Sequence, residues 1–348
     1  MLHFECDYLE GAHPLILKRL METNMEKTPG YTTDEYCEMA RQKIRHSCAC
    51  PDAEIHFLVG GTQTNATVID AWLRPYEGVI AAESGHINQH EAGAIEAGGH
   101  KVIALPHQEG KLAAATLKDY LNRFYADETY PHMVNPGMVY ISHPTEYGTL
   151  YTRSELEALA EVCHQHQLPL YLDGARLGYG LAARDTDLTL PHIAALCDAF
   201  YIGGTKVGAL FGEALVFPRP GRIKQMFSIV KQHGALLAKG RLLGLQFDTL
   251  FSNNLYFEIS RQAINRAEQL REALEALGYI FFVRPQSNQL FVLLNNRQLN
   301  ALKTYATFSV WDAVGTDHTV IRLATSWATT EEDVNQLIEA LRRIRQTD

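Results

Sequence analysis

The chain has 348 residues, 46% hydrophobic and 20% charged, which predicts a large domain with a smaller companion rather than one small core. Its formal charge of -9, without long Lys/Arg clusters, argues against a nucleic-acid partner. No apolar run is long enough for a membrane span, the opening MLHFECDYLEGAHP carries no signal-peptide core, and the six cysteines are irregularly spaced; a cytoplasmic protein with reduced thiols is expected.

From about residue 55 to 217, short β-branched or aromatic runs alternate with segments of helical period. Strands are predicted at 56–59, 78–82, 101–105, 138–142, 169–173, 199–203 and 214–217. Helices are predicted at 66–73, 90–97, 154–166 and 188–196. Near-continuous apolar strands in such an alternation point to a mostly parallel sheet covered on both faces. Ligands then bind beyond the carboxyl ends of the strands, so the residues following each strand carry the chemistry. After about residue 220 the pattern changes. Residues 222–276 read as largely helical, strands follow at 279–283, 289–294 and 320–323, and 331–345 closes the chain as an amphipathic helix capped by Thr329 or Thr330.

Gly60-Gly61-Thr62-Gln63-Thr64-Asn65 follows a strand and opens a helix, which suits an anion cup. It lacks the spacing and lysine of a P-loop, and taken alone a tight strand-to-helix turn explains it better. His86 and His90 form an HxxxH pair after the second strand. With no third ligand in place zinc is disfavoured, no metal site is expected, and stacking of His86 on a flat ring fits better. Asp173 ends the strand Leu170-Tyr171-Leu172, where a carboxylate is costly unless it meets a cation. Either Arg176 pairs with it, or Asp173 keeps a pyridine nitrogen protonated while Arg176 faces a substrate carboxylate. Lys206, in Gly203-Gly204-Thr205-Lys206, lies past the next strand, near Asp173, with glycines that give a flat cofactor room. A surface lysine or an imine-forming one are the two readings.

The combination of GGTQTN, SGHINQHEAGAIEA, DGARL, GGTK and Val320-Ile321-Arg322-Leu323 resembles the pyridoxal-phosphate (PLP) dependent threonine aldolases, in the β-eliminating-lyase branch of the aspartate-aminotransferase-like enzymes of fold type I. The resemblance runs from about residue 4 to 345. It implies an α/β fold in which residues 14–247 form a large PLP-binding domain on a seven-stranded-type, mostly parallel sheet. Residues 248–348 would form a small α+β domain, with 1–13 packing against it.

It further implies that Lys206 carries PLP as a Schiff base, Asp173 pairs with the ring nitrogen and His86 stacks on the ring. Gly61 and Thr62, with Thr205, would hold the phosphate. Arg176 and Arg322 would bind the substrate carboxylate, and His132 would lie near its β-hydroxyl. Two positions depart from the family pattern. Cys6-Asp7 stands where a Ser-Asp pair is usual, and Lys239 stands near the place of an arginine that reaches a neighbouring subunit's phosphate. The implied activity is retro-aldol cleavage of L-threonine or L-allo-threonine to glycine and an aldehyde, in a homodimer or homotetramer with sites at the dimer interface. A β-eliminating lyase or aminotransferase is the alternative, and a non-catalytic binding protein of the same fold the second. An NAD-binding fold is disfavoured, since no GxGxxG follows a strand.

Overall fold

A computed structural model describes residues 1–346. At its centre stands a seven-stranded sheet built from β2 (Glu54–Leu58), β3 (Glu77–Ala82), β4 (Lys101–Leu105), β5 (Asn135–Ser142), β6 (Leu170–Asp173), β7 (Ala199–Gly203) and β8 (Glu213–Phe217). Its order is β4-β3-β5-β6-β7-β8-β2, parallel except that β8 runs against both neighbours. The period of two, with a core on each face, explains the nearly continuous apolar runs of the inner strands. In β7, Phe200 and Ile202 enter one core, under helices that include Glu35–Ser47 and Arg153–Gln165, while Ala199 and Tyr201 face the other, under helix Gly61–Trp72. Because β8 is reversed, its first residue, Glu213, lands at the end of the sheet where the parallel strands finish.

A smaller unit follows. Strands β9 (Ile280–Phe281), β10 (Gln289–Asn295), β12 (Ser309–Val314) and β13 (His318–Ala324) form an antiparallel sheet in the order β12-β13-β10-β9. Helices Leu255–Ala276 and Glu331–Gln346 close the core of this unit. The N-terminal strand β1 (Leu2–His3) pairs in parallel with β11 (Ala306–Thr307), and Phe4 is buried in the same core.

Two predicted helices are interrupted. The stretch 222–276 divides into Met226–Gln232, Arg241–Leu250 and Leu255–Ala276, with left-handed residues at Gly234, Asn253 and Asn254 between them. The stretch 90–97 retains only Ala94–Ala97, preceded by left-handed Ala92 and Gly93. At the closing helix the cap is Thr330: its Oγ1 accepts from the Asp333 amide at 3.1 Å, and the Asp333 carboxylate accepts from the Thr330 amide at 3.1 Å. All six cysteines are unpaired thiols. No helix among the described residues is long and apolar enough to cross a membrane.

Candidate active site

A cavity of about 310 Å³ opens at the carboxyl ends of the strands, walled by Gly61, Thr62, His86, Asp173, Thr205 and Lys206 among others. A second, of about 430 Å³, adjoins it and reaches Ser309, Trp311 and Arg322 of the smaller unit. A larger groove of about 1100 Å³ lies at the opposite end of the sheet. It holds no lysine, and its Cys163 thiol is pushed up to about 12 by burial, so no ready nucleophile lies there.

Asp173 is buried yet well supplied with donors. Its Oδ1 accepts from the Tyr201 hydroxyl at 2.5 Å and the Ala175 amide at 3.0 Å, and its Oδ2 from Tyr140 at 2.7 Å and Asn65 Nδ2 at 2.9 Å. Burial pushes this carboxyl up, but the nearby His86 and the hydrogen bonds outweigh it and hold it below the usual range. It therefore stays ionised at neutral pH and still walls the cavity, which suits a partner for a protonated ring nitrogen. Sequence reading missed all three side-chain donors.

His86 begins the short turn after β3, and its Nδ1 lies 2.7 Å from Glu91 Oε1. Glu91 also accepts from Asn65 Nδ2 at 2.7 Å, so Asn65 bridges the two carboxylates that surround the site. A carboxylate on Nδ1 selects the tautomer with the proton there and leaves Nε2 as the acceptor. Lys206 is half-buried, and burial, followed by the charge of Arg176, lowers its pKa, which raises the share of nucleophilic free amine.

The first turn of helix Gly61–Trp72 has Gly60 at its cap and no side-chain cap, so its amides are available to an anion. A Cβ at position 61 would stand 3.0 Å from the Tyr201 hydroxyl that bonds Asp173, hence the glycine. Thr205 is tied to an acid that sequence reading did not anticipate. Its Oγ1 donates to Glu213 Oε1 at 3.0 Å, and Glu213 also accepts from the Gly204 amide at 3.2 Å. Burial raises the Glu213 carboxyl to about 8 against the pull of Lys206, which keeps negative charge out of the cup.

The arginines have partners that the sequence did not show. Arg176 pairs with Asp7, with Nε to Oδ2 at 2.7 Å and Nη2 to Oδ1 at 3.0 Å, and it walls both cavities. Arg322 sends Nη2 to the Glu5 carbonyl and Ser309 Oγ, both at 3.1 Å, while its buried Nε has no partner. Both arginines wall the outer cavity, where a carboxylate would meet them.

The Asp7 pair also fixes the N-terminal segment. Burial raises Asp7, but Arg176 and Lys206 hold its carboxyl at about 2. A carboxyl depressed on folding stabilises above its ordinary value of 3.8 and loses that contribution as pH falls through 2. Asp7→Asn is expected to cost about 3 kcal/mol near neutral pH by orphaning a buried guanidinium. Urea midpoints of both proteins should converge as pH drops below 3.8; a gap that stays constant there would contradict this.

Three expected residues do not join the site in the single chain. His132 is exposed in the turn Tyr130–His132, before β5, whereas it is the far end of β5 that reaches the cavity. The eight residues of the strand separate them by roughly 25 Å. The second histidine that walls the outer cavity is His90. Cys6, its thiol raised by burial, walls neither cavity, although Tyr8 walls both. Lys239 is exposed on a separate groove beside Leu20 and Arg241.

The donor set fits PLP: an ionised carboxylate, a lysine of lowered pKa and an uncapped helix start surround one cavity. A family model described as beta-eliminating lyase matches residues 14–297. The chain belongs to this family. The solved structure of Leishmania major threonine aldolase is similar over 99% of this chain and 100% of that one, with 42% identity and a TM-score of 0.96. The low specificity L-threonine aldolase of Pseudomonas aeruginosa is 27% identical over 345 residues, 98% of this chain and 97% of that protein. A mutant aspartate aminotransferase of Thermus thermophilus shares the fold, with a TM-score of 0.71 at 19% identity over 99% of this chain and 91% of that one.

Proposed function

We propose that this chain is a PLP-dependent aldolase that cleaves L-threonine and L-allo-threonine between Cα and Cβ, releasing glycine and acetaldehyde. The observation that carries this reading is the convergence of Lys206, Asp173 and His86 on one cavity that adjoins a second one walled by Arg322. When bound, PLP supplies a conjugated ring that accepts the electron pair of one bond to Cα. The residues decide the rest. Lys206 presents the amine that holds the cofactor, Asp173 offers its charge to the ring nitrogen, and the amides at Gly61 and Thr62, with Thr205, face the phosphate. Arg322 grips the substrate carboxylate, and that grip selects which bond at Cα stands out of the ring plane. His86, oriented by Glu91, accepts the β-hydroxyl proton at Nε2.

Residues 14–247 and 248–348 are proposed as large and small domains, with 1–13 belonging to the latter; the pairing of β1 with β11 supports that grouping. A homodimer or homotetramer is proposed, in which Lys239 of one copy approaches the phosphate of another. Six unpaired thiols suit a reducing, cytoplasmic setting. The reaction is tested by incubating the PLP-loaded protein with L-threonine and L-allo-threonine. Glycine and aldehyde in equal amounts are expected. Ammonia with a 2-oxo acid in place of glycine would replace this reading by β-elimination.

A further inference from the structure

Glu146 had no role in the sequence reading, yet it stands where the two cavities meet. They share Tyr8, His86, Glu146, Arg176 and Lys206, and Glu146 is the one carboxyl group among these five. Its residue is 8% exposed, and its hydrogen-bond partners are a hydroxyl and an amide rather than a cation. Both fall on Oε1: Ser142 Oγ at 2.5 Å and the His86 amide at 2.9 Å.

Counting hydrogens along this chain locates a proton. Ser142 Oγ also lies 3.1 Å from the Tyr140 hydroxyl, which donates to Asp173 Oδ2 at 2.7 Å. Glu146, Ser142, Tyr140 and Asp173 thus make three contacts in a row, which require three hydrogens. The two hydroxyls bring one each. With Asp173 ionised, the third belongs to Glu146. It then donates to Ser142, Ser142 to Tyr140, and Tyr140 to Asp173, while Oε1 still accepts from the His86 amide. An ionised Glu146 would take the Ser142 hydrogen and leave lone pairs facing each other between Ser142 and Tyr140. Burial, with the charge of Asp173 adding to it, pushes the Glu146 carboxyl the same way, upward.

We propose that Glu146 rests protonated and delivers its proton to Cα once the Cα–Cβ bond is broken. This rests on the aldolase reading. In cleavage the β-hydroxyl gives its proton to His86 Nε2, the C–O bond becomes a carbonyl, and the Cα–Cβ electron pair stays on the Cα side as the aldehyde leaves. Cα then gains one proton to become glycine. The reaction thus needs one acceptor and one donor, and a group that rests protonated serves as the donor. Glu146 is left ionised beside a protonated His86, and transfer from His86 to Glu146, directly or through water, restores both. Nothing is oxidised or reduced on the enzyme.

The protonated acid is tested first on the cofactor-free protein in D2O near neutral pD. The infrared difference between wild type and Glu146→Gln should contain the C=O stretch of a protonated carboxylic acid. Its absence would overturn the assignment, whatever the reaction proves to be. The delivery step is tested by NMR exchange of the Cα hydrogens of glycine in the PLP-loaded proteins, which needs no aldehyde. Glu146→Gln must give up one of the two contacts at Oε1, since an amide cannot both donate to Ser142 and accept from the His86 amide there, but it should retain the cofactor absorbance and slow exchange by about 100-fold or more. Glu146→Asp, which keeps an acid on a shorter arm, should recover part of that loss. Exchange at the wild-type rate in Glu146→Gln, or no advantage of Asp over Gln, would leave Lys206 as the donor and refute the proposal. Failure of the aldolase reading registers separately, as the wrong products from threonine.

Discussion

Replacement of Lys206 by alanine is expected to abolish turnover, by about four orders of magnitude or more, since its amine is the group that holds the cofactor. The substitution truncates a half-buried side chain at a cavity wall, outside the apolar cores, so the fold should survive. Borohydride treatment of wild type should fix a pyridoxyl group on the peptide that contains Lys206, and the alanine variant should retain none after denaturation. Label on Lys231 or Lys239 would overturn the assignment. Both are poor candidates, because Lys231 lies over the Tyr31 ring at 4.6 Å and Lys239 is exposed on another groove.

The central sheet was legible because burial on both faces leaves the inner strands with nearly continuous apolar runs, and turns separate the runs clearly. Helices Glu35–Ser47 and Ala114–Ala126 were not. The first buries only Cys37, Ala40 and Ile44 in a chain of charged residues, too few for a clear period. Strand β12 was hidden for a different reason. It is an edge strand with mostly exposed residues and an irregularity between Val310 and Asp312, so its alternation is broken.

At the site, Lys206, Asp173, His86 and Gly61 were readable because each directly follows or ends a strand, and the sheet brings those ends together. Their supporting residues were not. Tyr140 and Tyr201 lie inside apolar strands, where an aromatic residue reads as β propensity, and Asn65 lies inside a helix. Only the strand order places their polar atoms on Asp173. His132 lies away from the cavity of the single chain by the same geometry in reverse, since closeness to a strand in sequence does not say which end of the sheet it occupies. The pairing of Arg176 with Asp7, distant in sequence, likewise becomes visible only in the fold.

Asp173→Asn is expected to retain cofactor but lose about a thousandfold in kcat. Two opposite unit charges 4 Å apart attract by about 4 kcal/mol at an effective dielectric of 20. A barrier raised by that amount slows the reaction about a thousandfold, at 1.36 kcal/mol per factor of ten. Asparagine matches the shape but brings no charge to the ring nitrogen, and it also brings a mismatch. Both carboxylate oxygens accept from two donors: Tyr201 and the Ala175 amide on Oδ1, Tyr140 and Asn65 on Oδ2. Whichever way the amide turns, its NH₂ faces an N–H that cannot accept, that of Ala175 or of Asn65, and forfeits that bond. The variant should therefore melt lower than wild type even without cofactor, as a buried donor loses its partner. Steady-state kinetics with L-threonine and melting of the cofactor-free proteins separate the two effects. Reduced melting with near-normal kcat would make Asp173 a structural acceptor only. Loss of kcat in a variant that still holds the cofactor assigns its charge to the chemistry, because only the ring nitrogen needs it there.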